Sequence, residues 1–344
     1  MQIKVIGCGG AFTEELYHQC FMLTENGRNL FIDMGQQIIP FALKNAGLTV
    51  NDIHEVIITH GHDDHAGSLG TLGLKRYDWK NRPIHYKDSP IKYAPKLIAN
   101  EELMNELWDS TKANLRTMEG FVATLDTFFE VKSLKGNEHY NFEGWDIQLI
   151  QQIHVMTGSI VMNSFGVYGE KNGKSFFITS DTQYFQPRQV KYFYEHADII
   201  ITDCETSGTN FQFNEGESIF QYKKTDEKFQ MEFLNQKYKD NQLYVWPQDD
   251  NEQLQLTALG MLPFPWKTLK FMSGVHSTYP ELAGYASANA TVLPSDIKKK
   301  IWLSHYGDHV AHNKDGFGNN VDWNKKALDD GFAGFVKLGQ VFEI

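Results

Sequence analysis

Short apolar runs separated by polar turns recur along the whole chain. In the first 60 residues they predict strands at 3–6, 21–23, 30–32 and 56–58. The Asn-Gly pair at 26–27 predicts a tight hairpin between the second and third of these strands. The residues from 38 to 46 predict a helix that ends at Gly47.

The pattern changes twice further along the chain. Between about 88 and 130, apolar residues recur near helical spacing and predict a helical insertion. Its apolar face could serve ordinary core packing, form a dimer contact or cover the active site. The residues from about 208 to 268 are weakly patterned and predict an irregular insertion, a candidate lid or dimer element. Elsewhere strands are predicted at 147–153, 165–168, 176–179, 199–201, 301–303 and 332–344, and helices at about 187–196 and 280–291. This interleaving indicates an α/β layered architecture.

The composition of the chain disfavours several functional classes. A chain of 344 residues with 41% hydrophobic and 13% aromatic content can bury a large core. Its net charge of −11 disfavours broad nucleic-acid binding, because an acidic surface repels phosphate backbones. Cys8, Cys20 and Cys204 have no disulfide-framework spacing. We expect a cytoplasmic protein of host or viral origin that does not engage membranes, since neither a signal-peptide pattern nor a bilayer-length apolar run is found.

One segment carries most of the chemical information. Directly after the apolar run at 56–58, the chain has the pattern H-x-H-x-D-H, formed by His60, His62, Asp64 and His65. Imidazole and carboxylate are ligands that suit zinc and similar divalent ions. A polar loop that contains histidines by chance is the alternative. Three histidines and an aspartate within six residues after a strand favour a metal site.

Three further positions follow the same rule, in which a strand run ends in a ligand residue. They are His154, Asp181 and His305. We predict a site for two divalent ions, Zn²⁺ with Mn²⁺ as the alternative, because a carboxylate can bridge two metals. One ion would be held by His60, His62, His154 and Asp181, and the other by Asp64, His65, Asp181 and His305. His139, His309 and His312 lack a strand before them and are predicted not to be ligands.

With these residues, the sequence resembles the metallo-β-lactamase fold superfamily. The early segments Gly7-Cys8-Gly9-Gly10 and Asp33-Met34-Gly35 are also similar to the superfamily's glycine turn and D-x-G strand end. The resemblance spans 1–344 as a single domain and implies an αββα sandwich with the metals at one edge. It also implies that Asp33 orients a ligand histidine.

Within the superfamily, the chain looks most like the ribonuclease Z branch and its cyclic-nucleotide phosphodiesterase relatives. Asp203-Cys204-Glu205-Thr206 and His276-Ser277-Thr278 are similar to the Glu and His elements of that branch, although the Glu segment lacks the usual preceding His and following Ala-Thr. The resemblance implies a catalytic set of Asp64, Glu205 and His276, in which Glu205 holds one ring nitrogen of His276 and the other nitrogen protonates the leaving oxygen.

The expected function is hydrolysis of a phosphodiester through a dimetal-bound hydroxide. A small cyclic nucleotide is the favoured substrate, because the chain is acidic and has no basic tRNA-binding arm. Aromatic residues between 211 and 285 could stack a base. A ribonuclease Z-type tRNA 3′-endonuclease, a lactam, lactone or thioester hydrolase, and a non-catalytic metal-binding protein remain alternatives. A homodimer is expected.

Overall fold

The structure is a computed structural model that describes residues 1–81, 94–157, 160–182, 187–206, 276–283, 293–316 and 318–344. The predicted insertion at about 208–268 lies outside the described residues. So does most of the predicted helix at 280–291, of which the structure gives Tyr279–Ala283.

The first sheet is built by the N-terminal half of the chain and closed by the last strand. Its seven strands lie in the order β18-β1-β2-β3-β4-β5-β8. The strands from β18 to β3 are antiparallel, and those from β3 to β8 are parallel. The bounds are β1 Gln2–Gly7, β2 Cys20–Glu25, β3 Arg28–Ile32, β4 Glu55–Ile57, β5 Lys96–Asn100, β8 Glu130–Leu134 and β18 Val341–Glu343.

The second sheet has the same mixed design. Its order is β17-β16-β15-β14-β13-β10-β9, with β14 to β17 parallel and β9, β10, β13 and β14 antiparallel. The bounds are β9 Tyr140–Phe142, β10 Trp145–Gln152, β13 Ser164–Lys171, β14 Lys174–Ile178, β15 Ile199–Asp203, β16 Ile301–Ser304 and β17 Gly334–Phe335. Two small hairpins pair β6 Thr117–Met118 with β7 Phe121–Val122, and β11 Met156–Thr157 with β12 Ile160–Val161.

Helices lie on the outer faces of both sheets. Those along the first half are α1 Leu43–Asn45, preceded by a π-helical turn at Ile38–Ala42, then α2 Asp63–Ala66, α3 Leu69–Asn81, α4 Glu101–Leu115 and α5 Leu125–Phe128. A short 3-10 turn spans Val50–Asp52. The second half has α6 Pro187–His196 and the short helices Tyr279–Ala283, Ser295–Lys298, Asp308–Ala311 and Trp323–Asp329. Among the helices in the described part of the chain, none combines the length and apolar character that a bilayer crossing requires.

Two apolar clusters hold the layers together. The larger cluster joins the facing sides of both sheets, with Phe21 and Ile57 from the first sheet and Val167 from the second. It continues to the outer helices of the second sheet through side chains such as Trp323. The smaller cluster packs the outer face of the first sheet against α3, α4 and α5 through residues such as Leu107. This layering is the predicted αββα sandwich.

The predicted strands are present, but 332–344 contains two short strands, β17 and β18, instead of one, and β8 and β9 were not predicted. The segment from about 88 to 130 also differs from the prediction. Part of it is helical, as predicted, because Leu103, Met104, Leu107 and Leu115 form the buried face of α4. However, Lys96–Asn100 is the strand β5, which lies between β4 and the edge strand β8 of the first sheet. Leu97 therefore belongs to a buried strand instead of a helix. Residues 88–93 are outside the described residues.

Candidate functional site

The side chains predicted as ligands lie at one edge of the sandwich, where strands from both sheets reach their carboxyl ends. His60 follows β4, His154 follows β10, Asp181 follows β14 and His305 follows β16. Strands β4, β14 and β16 are members of parallel runs, and β10 runs parallel to β14 because both pair antiparallel with β13. Their ends therefore converge on a single location.

A short helix presents the remaining members of the motif. His62 precedes α2 at its N-cap position, and Asp64 and His65 lie on this helix. The loop after β3 packs closely against it, since the Met34 amide donates to the His65 carbonyl at 2.6 Å. Glycine is required at position 35, because a Cβ there would lie 1.9 Å from the Asp64 carbonyl oxygen. The D-x-G segment thus fixes the helix that carries two of the predicted ligands.

The first group of converging atoms comes from three histidines and one aspartate. His62 Nδ1 lies 3.2 Å from His60 Nε2 and 3.0 Å from His154 Nε2. Asp181 Oδ2 is 3.7 Å from His60 Nε2 and 3.6 Å from His154 Nε2. Tetrahedral zinc with nitrogen ligands at about 2.0–2.1 Å requires ligand atoms about 3.3 Å apart. These four side chains could therefore hold one ion.

The second group uses the other oxygen of the same aspartate. Asp181 Oδ1 lies 3.2 Å from His65 Nε2 and 3.3 Å from His305 Nε2. Asp64 Oδ2 is 3.3 Å from each of these nitrogens. This group could hold a second ion, with Asp181 between the two groups.

Asp181 itself shows why the group suits cations. Its side chain is 1% exposed, and neither carboxylate oxygen accepts a hydrogen bond from any described residue. A buried carboxylate without such partners is strongly destabilising unless a cation lies beside it. Two divalent ions would satisfy both oxygens, so the residues present fit a dinuclear metal centre.

Burial and neighbouring charges shift the pKa values of the predicted ligand side chains. Burial alone would raise the pKa of Asp64 and Asp181, but the neighbouring histidines hold both pKa values well below the usual range. Burial lowers the pKa of His60 well below its usual value, which favours the neutral imidazole that binds metals. Burial acts in the same direction on His65 and His305, but the surrounding carboxylates raise the pKa of each. The carboxylates of the centre therefore favour positive charge beside them, whether on the histidines or on bound cations.

Asp33 holds the second group in place. Its buried carboxylate accepts from His65 Nδ1 at 2.8 Å, from the Thr59 amide at 2.8 Å and from Thr59 Oγ1 at 2.9 Å. Thr59 Oγ1 in turn lies 3.1 Å from His60 Nδ1. Asp33 therefore contacts one predicted ligand directly and another through Thr59, in the orienting position that the sequence resemblance implied.

The predicted Glu205–His276 pair is arranged differently from the expectation. His276 lies beside the centre, with Nδ1 3.7 Å from Asp181 Oδ2, but the carboxylate at Nδ1 is Asp203, with its Oδ2 at 2.9 Å. Burial alone would lower the pKa of His276, but the charge of Asp203 raises it. The Glu205 amide donates to the Ser277 carbonyl at 2.7 Å, in the residue next to His276.

Sequence reasoning missed Asp203 although a signal was available. Asp203 ends the apolar strand run at 199–201 after a single threonine, as Asp181 follows its own run. It is 1% exposed, and its Oδ1 lies 3.5 Å from His305 Nδ1, at the long limit of a hydrogen bond. Asp181, Asp203, His276 and His305 also form a group that could hold a metal, but it shares two members with the second group.

The three histidines that were predicted not to be ligands lie outside these groups. His139 pairs with Asp146 at 2.8 Å on the surface, and His312 pairs with Glu15 at 3.1 Å. His309 is partly buried beside Gly307, and burial lowers its pKa. None of the three belongs to a metal-compatible group among the described residues.

Comparison with protein families then places the chain. Residues 1–258 match the family described as "Anti-Pycsar protein Apyc1". The chain belongs to this family. A family protein of the same name from Bacillus phage vB_BsuM-Goe3 is 27% identical over 319 residues, which cover 90% of both chains. Another, from Paenibacillus sp. (strain J14), is 33% identical over 138 residues, covering 40% of this chain and 51% of the relative. In that comparison the chain therefore spans about half the length of the relative.

Solved structures agree with this assignment at the level of fold. The metallo-β-lactamase fold protein YhfI from Bacillus subtilis aligns over 100% of this chain and 98% of its own, with a TM-score of 0.55 and 14% identity. Zn²⁺-bound PqqB from Methylobacterium extorquens aligns over 100% of both chains, with a TM-score of 0.57 and 11% identity. Human tRNase Z, short form, aligns over 100% of this chain and 98% of its own, with a TM-score of 0.52 and 14% identity. The Apyc1-family chain therefore has the metallo-β-lactamase fold.

Proposed function

We propose that this chain is a dinuclear metal-dependent phosphodiesterase that hydrolyses small cyclic nucleotides. The observation that carries the proposal is Asp181, whose two carboxylate oxygens accept no hydrogen bond from the described residues and lie 3.2–3.7 Å from histidine nitrogens of two separate groups. The family description supports the substrate class. The branch that the sequence resembles includes viral proteins that destroy cyclic pyrimidine nucleotide immune signals.

The residues divide into two ligand sets. His60, His62 and His154 would hold one ion, and Asp64, His65 and His305 would hold the other, with Asp181 contributing one oxygen to each. When bound, such a pair supplies an activated water near neutral pH and neutralises charge on the phosphoryl group. Zn²⁺ is the favoured ion, since the donors are imidazoles and carboxylates, and Mn²⁺ is the alternative.

His276 is the proposed proton donor to the leaving oxygen. Asp203 holds the proton at His276 Nδ1, so that Nε2 is the atom that would face the substrate. This contact orients the ring, and the negative charge of Asp203 favours the doubly protonated imidazolium, which can give its Nε2 proton to the leaving oxygen. In our proposal Asp203 takes the holding role that the sequence motif assigned to Glu205. Glu205 then positions the 276–279 segment through its main chain.

Charge favours a small substrate over tRNA. The chain has a net charge of −11, and the strongest local cation of the site would be the metal pair itself. A mononucleotide has one phosphodiester and can be neutralised by that pair, whereas tRNA requires an extended basic surface. A ribonuclease Z-type activity is the second outcome that the experiment below distinguishes.

A substrate panel tests the proposal. Protein loaded with Zn²⁺ or Mn²⁺ is assayed with bis-p-nitrophenyl phosphate, 3′,5′-cyclic pyrimidine and purine nucleotides, pre-tRNA, nitrocefin and an acyl thioester. We expect turnover of the cyclic nucleotides above that of pre-tRNA and none of nitrocefin or the thioester. Turnover of pre-tRNA alone would support the endonuclease, and turnover of the lactam or thioester alone would overturn the phosphodiesterase assignment.

A leaving-group comparison tests the role of His276. His276→Ala should keep both ions but lose roughly 10²–10⁴-fold in rate on a cyclic nucleotide, whose ribose oxygen is a poor leaving group. The loss should be much smaller on a p-nitrophenyl ester, which leaves without protonation. Asp203→Asn should follow the same pattern. Glu205→Gln is the matched control and should have the milder effect; the reverse order would return the holding role to Glu205.

A further inference from the structure

A phenylalanine is presented to solvent next to the metal-binding groups. Phe12 is 99% exposed, the highest value among the exposed large apolar side chains in the described residues. It lies in a turn that is closed by the Thr13 amide, which donates to the Gly10 carbonyl at 3.2 Å. An aromatic side chain that large normally contributes to a core or an interface. Its full exposure therefore needs an explanation.

The turn that carries Phe12 is held rigidly. The carboxylate of Asp308 accepts from the Glu14 amide at 2.7 Å, from the Leu16 amide at 3.3 Å and from Thr13 Oγ1. The side chain of Gln37 donates to the Thr13 carbonyl at 2.7 Å from the other side. The segment that carries Phe12 is therefore held by hydrogen bonds that begin at the next residue, Thr13.

The same turn begins at the candidate centre. A Cβ at Gly10 would lie 3.2 Å from His305 Cε1, so the glycine main chain packs directly on a predicted ligand. The His305 amide donates to the Cys8 carbonyl at 2.9 Å, and the Gly10 amide donates to the Tyr306 carbonyl at 3.3 Å. Two residues of chain span at most about 7.6 Å, so the Phe12 Cα lies within about 7.6 Å of the Gly10 Cα, whose main chain packs on His305.

We propose that Phe12 is a substrate-contacting residue that stacks on the nucleobase of a cyclic nucleotide whose phosphate lies at the metal centre. This inference rests on the proposed function and identifies where the base is held. An exposed aromatic ring suits this task, because every base has a π-face and stacking does not select among bases. Phe12 should therefore contribute to binding of both pyrimidine and purine substrates.

The test compares substrates with and without a base. Phe12→Ala, Phe12→Trp and Phe12→Leu are assayed on a cyclic pyrimidine nucleotide, a cyclic purine nucleotide and base-free ribose 3′,5′-cyclic phosphate. Tyr192→Ala is the matched control, because Tyr192 is also an exposed aromatic (52%) but stacks on His196, 4.0 Å away, on the outer helix α6. Metal content and melting temperature establish that each variant is folded and loaded.

We expect Phe12→Ala to raise KM for both nucleotides by about 5- to 150-fold, the range of base–aromatic stacking, with little change in kcat. The base-free substrate and Tyr192→Ala should be unaffected. Phe12→Trp should retain a KM near that of the parent protein, whereas Phe12→Leu should resemble Phe12→Ala. An unchanged KM would overturn the proposal, and so would an equal loss on the base-free substrate.

Two further measurements distinguish this proposal from the proposed phosphodiesterase function on which it rests and from a role of Phe12 in a contact between chains. If the parent protein turns over no phosphodiester, the proposed function fails, and calorimetric binding of the cyclic nucleotide then decides the role of Phe12. Equal binding by the parent and by Phe12→Ala, or no binding by either, would overturn it. Sedimentation of Phe12→Ala should show the parent's oligomeric state; conversion to a smaller species would assign Phe12 to a contact between chains.

Discussion

Asp33 offers a test of how the fold controls metal binding. The substitution Asp33→Asn keeps the size of the side chain, and Asn tolerates the positive φ of 67° at this position. The amide oxygen can still accept from the Thr59 amide. The amide NH₂ then faces His65 Nδ1, where the carboxylate oxygen lay at 2.8 Å. Two donors would oppose each other unless the His65 proton moved to Nε2, the atom that is proposed to bind the second ion.

The structure sets the expected magnitude. One hydrogen bond from His65 to a charged carboxylate is lost, which corresponds to about 1.5–3 kcal/mol. Loss of such an outer contact to a ligand histidine typically weakens metal affinity by about 10–100-fold. The first ion should be affected less, because Asp33 reaches His60 only through Thr59, at 3.1 Å. Asp33→Asn should therefore weaken the second ion by about 10–100-fold and the first ion by a smaller factor.

Competition titrations with a chromophoric zinc chelator measure both affinities. Asp52→Asn is the matched control, because it also removes a carboxylate that accepts from a main-chain amide, that of Thr49 at 2.8 Å, but at a surface turn. This variant should bind both ions like the parent protein. Equal weakening of the two ions in Asp33→Asn, or no weakening of either, would refute the inference that Asp33 orients His65.

Two further predictions address the centre as a whole. Asp181→Ala should lose both ions and all activity, since it removes a ligand from each group, whereas His309→Ala should retain two ions and most activity. Elemental analysis measures the ions, and the phosphodiester assay measures the activity. Loss of an ion in His309→Ala would show that the last ligand is misassigned. Chelation should lower the melting temperature by calorimetry, because each ion present at 100 times its Kd stabilises the folded state by about 2.7 kcal/mol. An unchanged melting temperature after complete metal removal would contradict this coupling.

The interleaved apolar runs predicted an α/β layered architecture, and the family resemblance implied the αββα sandwich that the two sheets form. The side chains that follow the other strand runs, His154, Asp181 and His305, lie together as expected, since the carboxyl ends of these strands meet at one edge. The structure brings together all seven predicted ligand side chains. Their metal binding stays a prediction until it is measured.

Other features depend on tertiary context. Strand β5 was missed because Leu97 lies close to the helical pattern of α4, and only pairing with β4 and β8 reveals it. Asp203 was overlooked because Glu205, two residues later, fitted the family motif, and only a distance distinguishes the two carboxylates.

Backbone strain at the site also could not be anticipated. Asp33, Ser180 and His305 have φ of 67°, 54° and 57°, in the left-handed region that non-glycine residues rarely adopt. All three lie at or beside the ends of strands that form the centre. Such conformations persist where the surrounding structure enforces them, and they cluster at functional sites. Their positions follow from the packing of the two sheets.

Anomalous diffraction at the zinc edge, from crystals grown with Zn²⁺, tests the central claim most directly. We predict two peaks about 3.5–4 Å apart, one on each side of the Asp181 carboxylate, which is the spacing of two-metal hydrolases. The first peak should contact His60, His62 and His154, and the second Asp64, His65 and His305. A single peak, or peaks away from Asp181, would contradict the dinuclear centre on which the proposed phosphodiesterase activity depends.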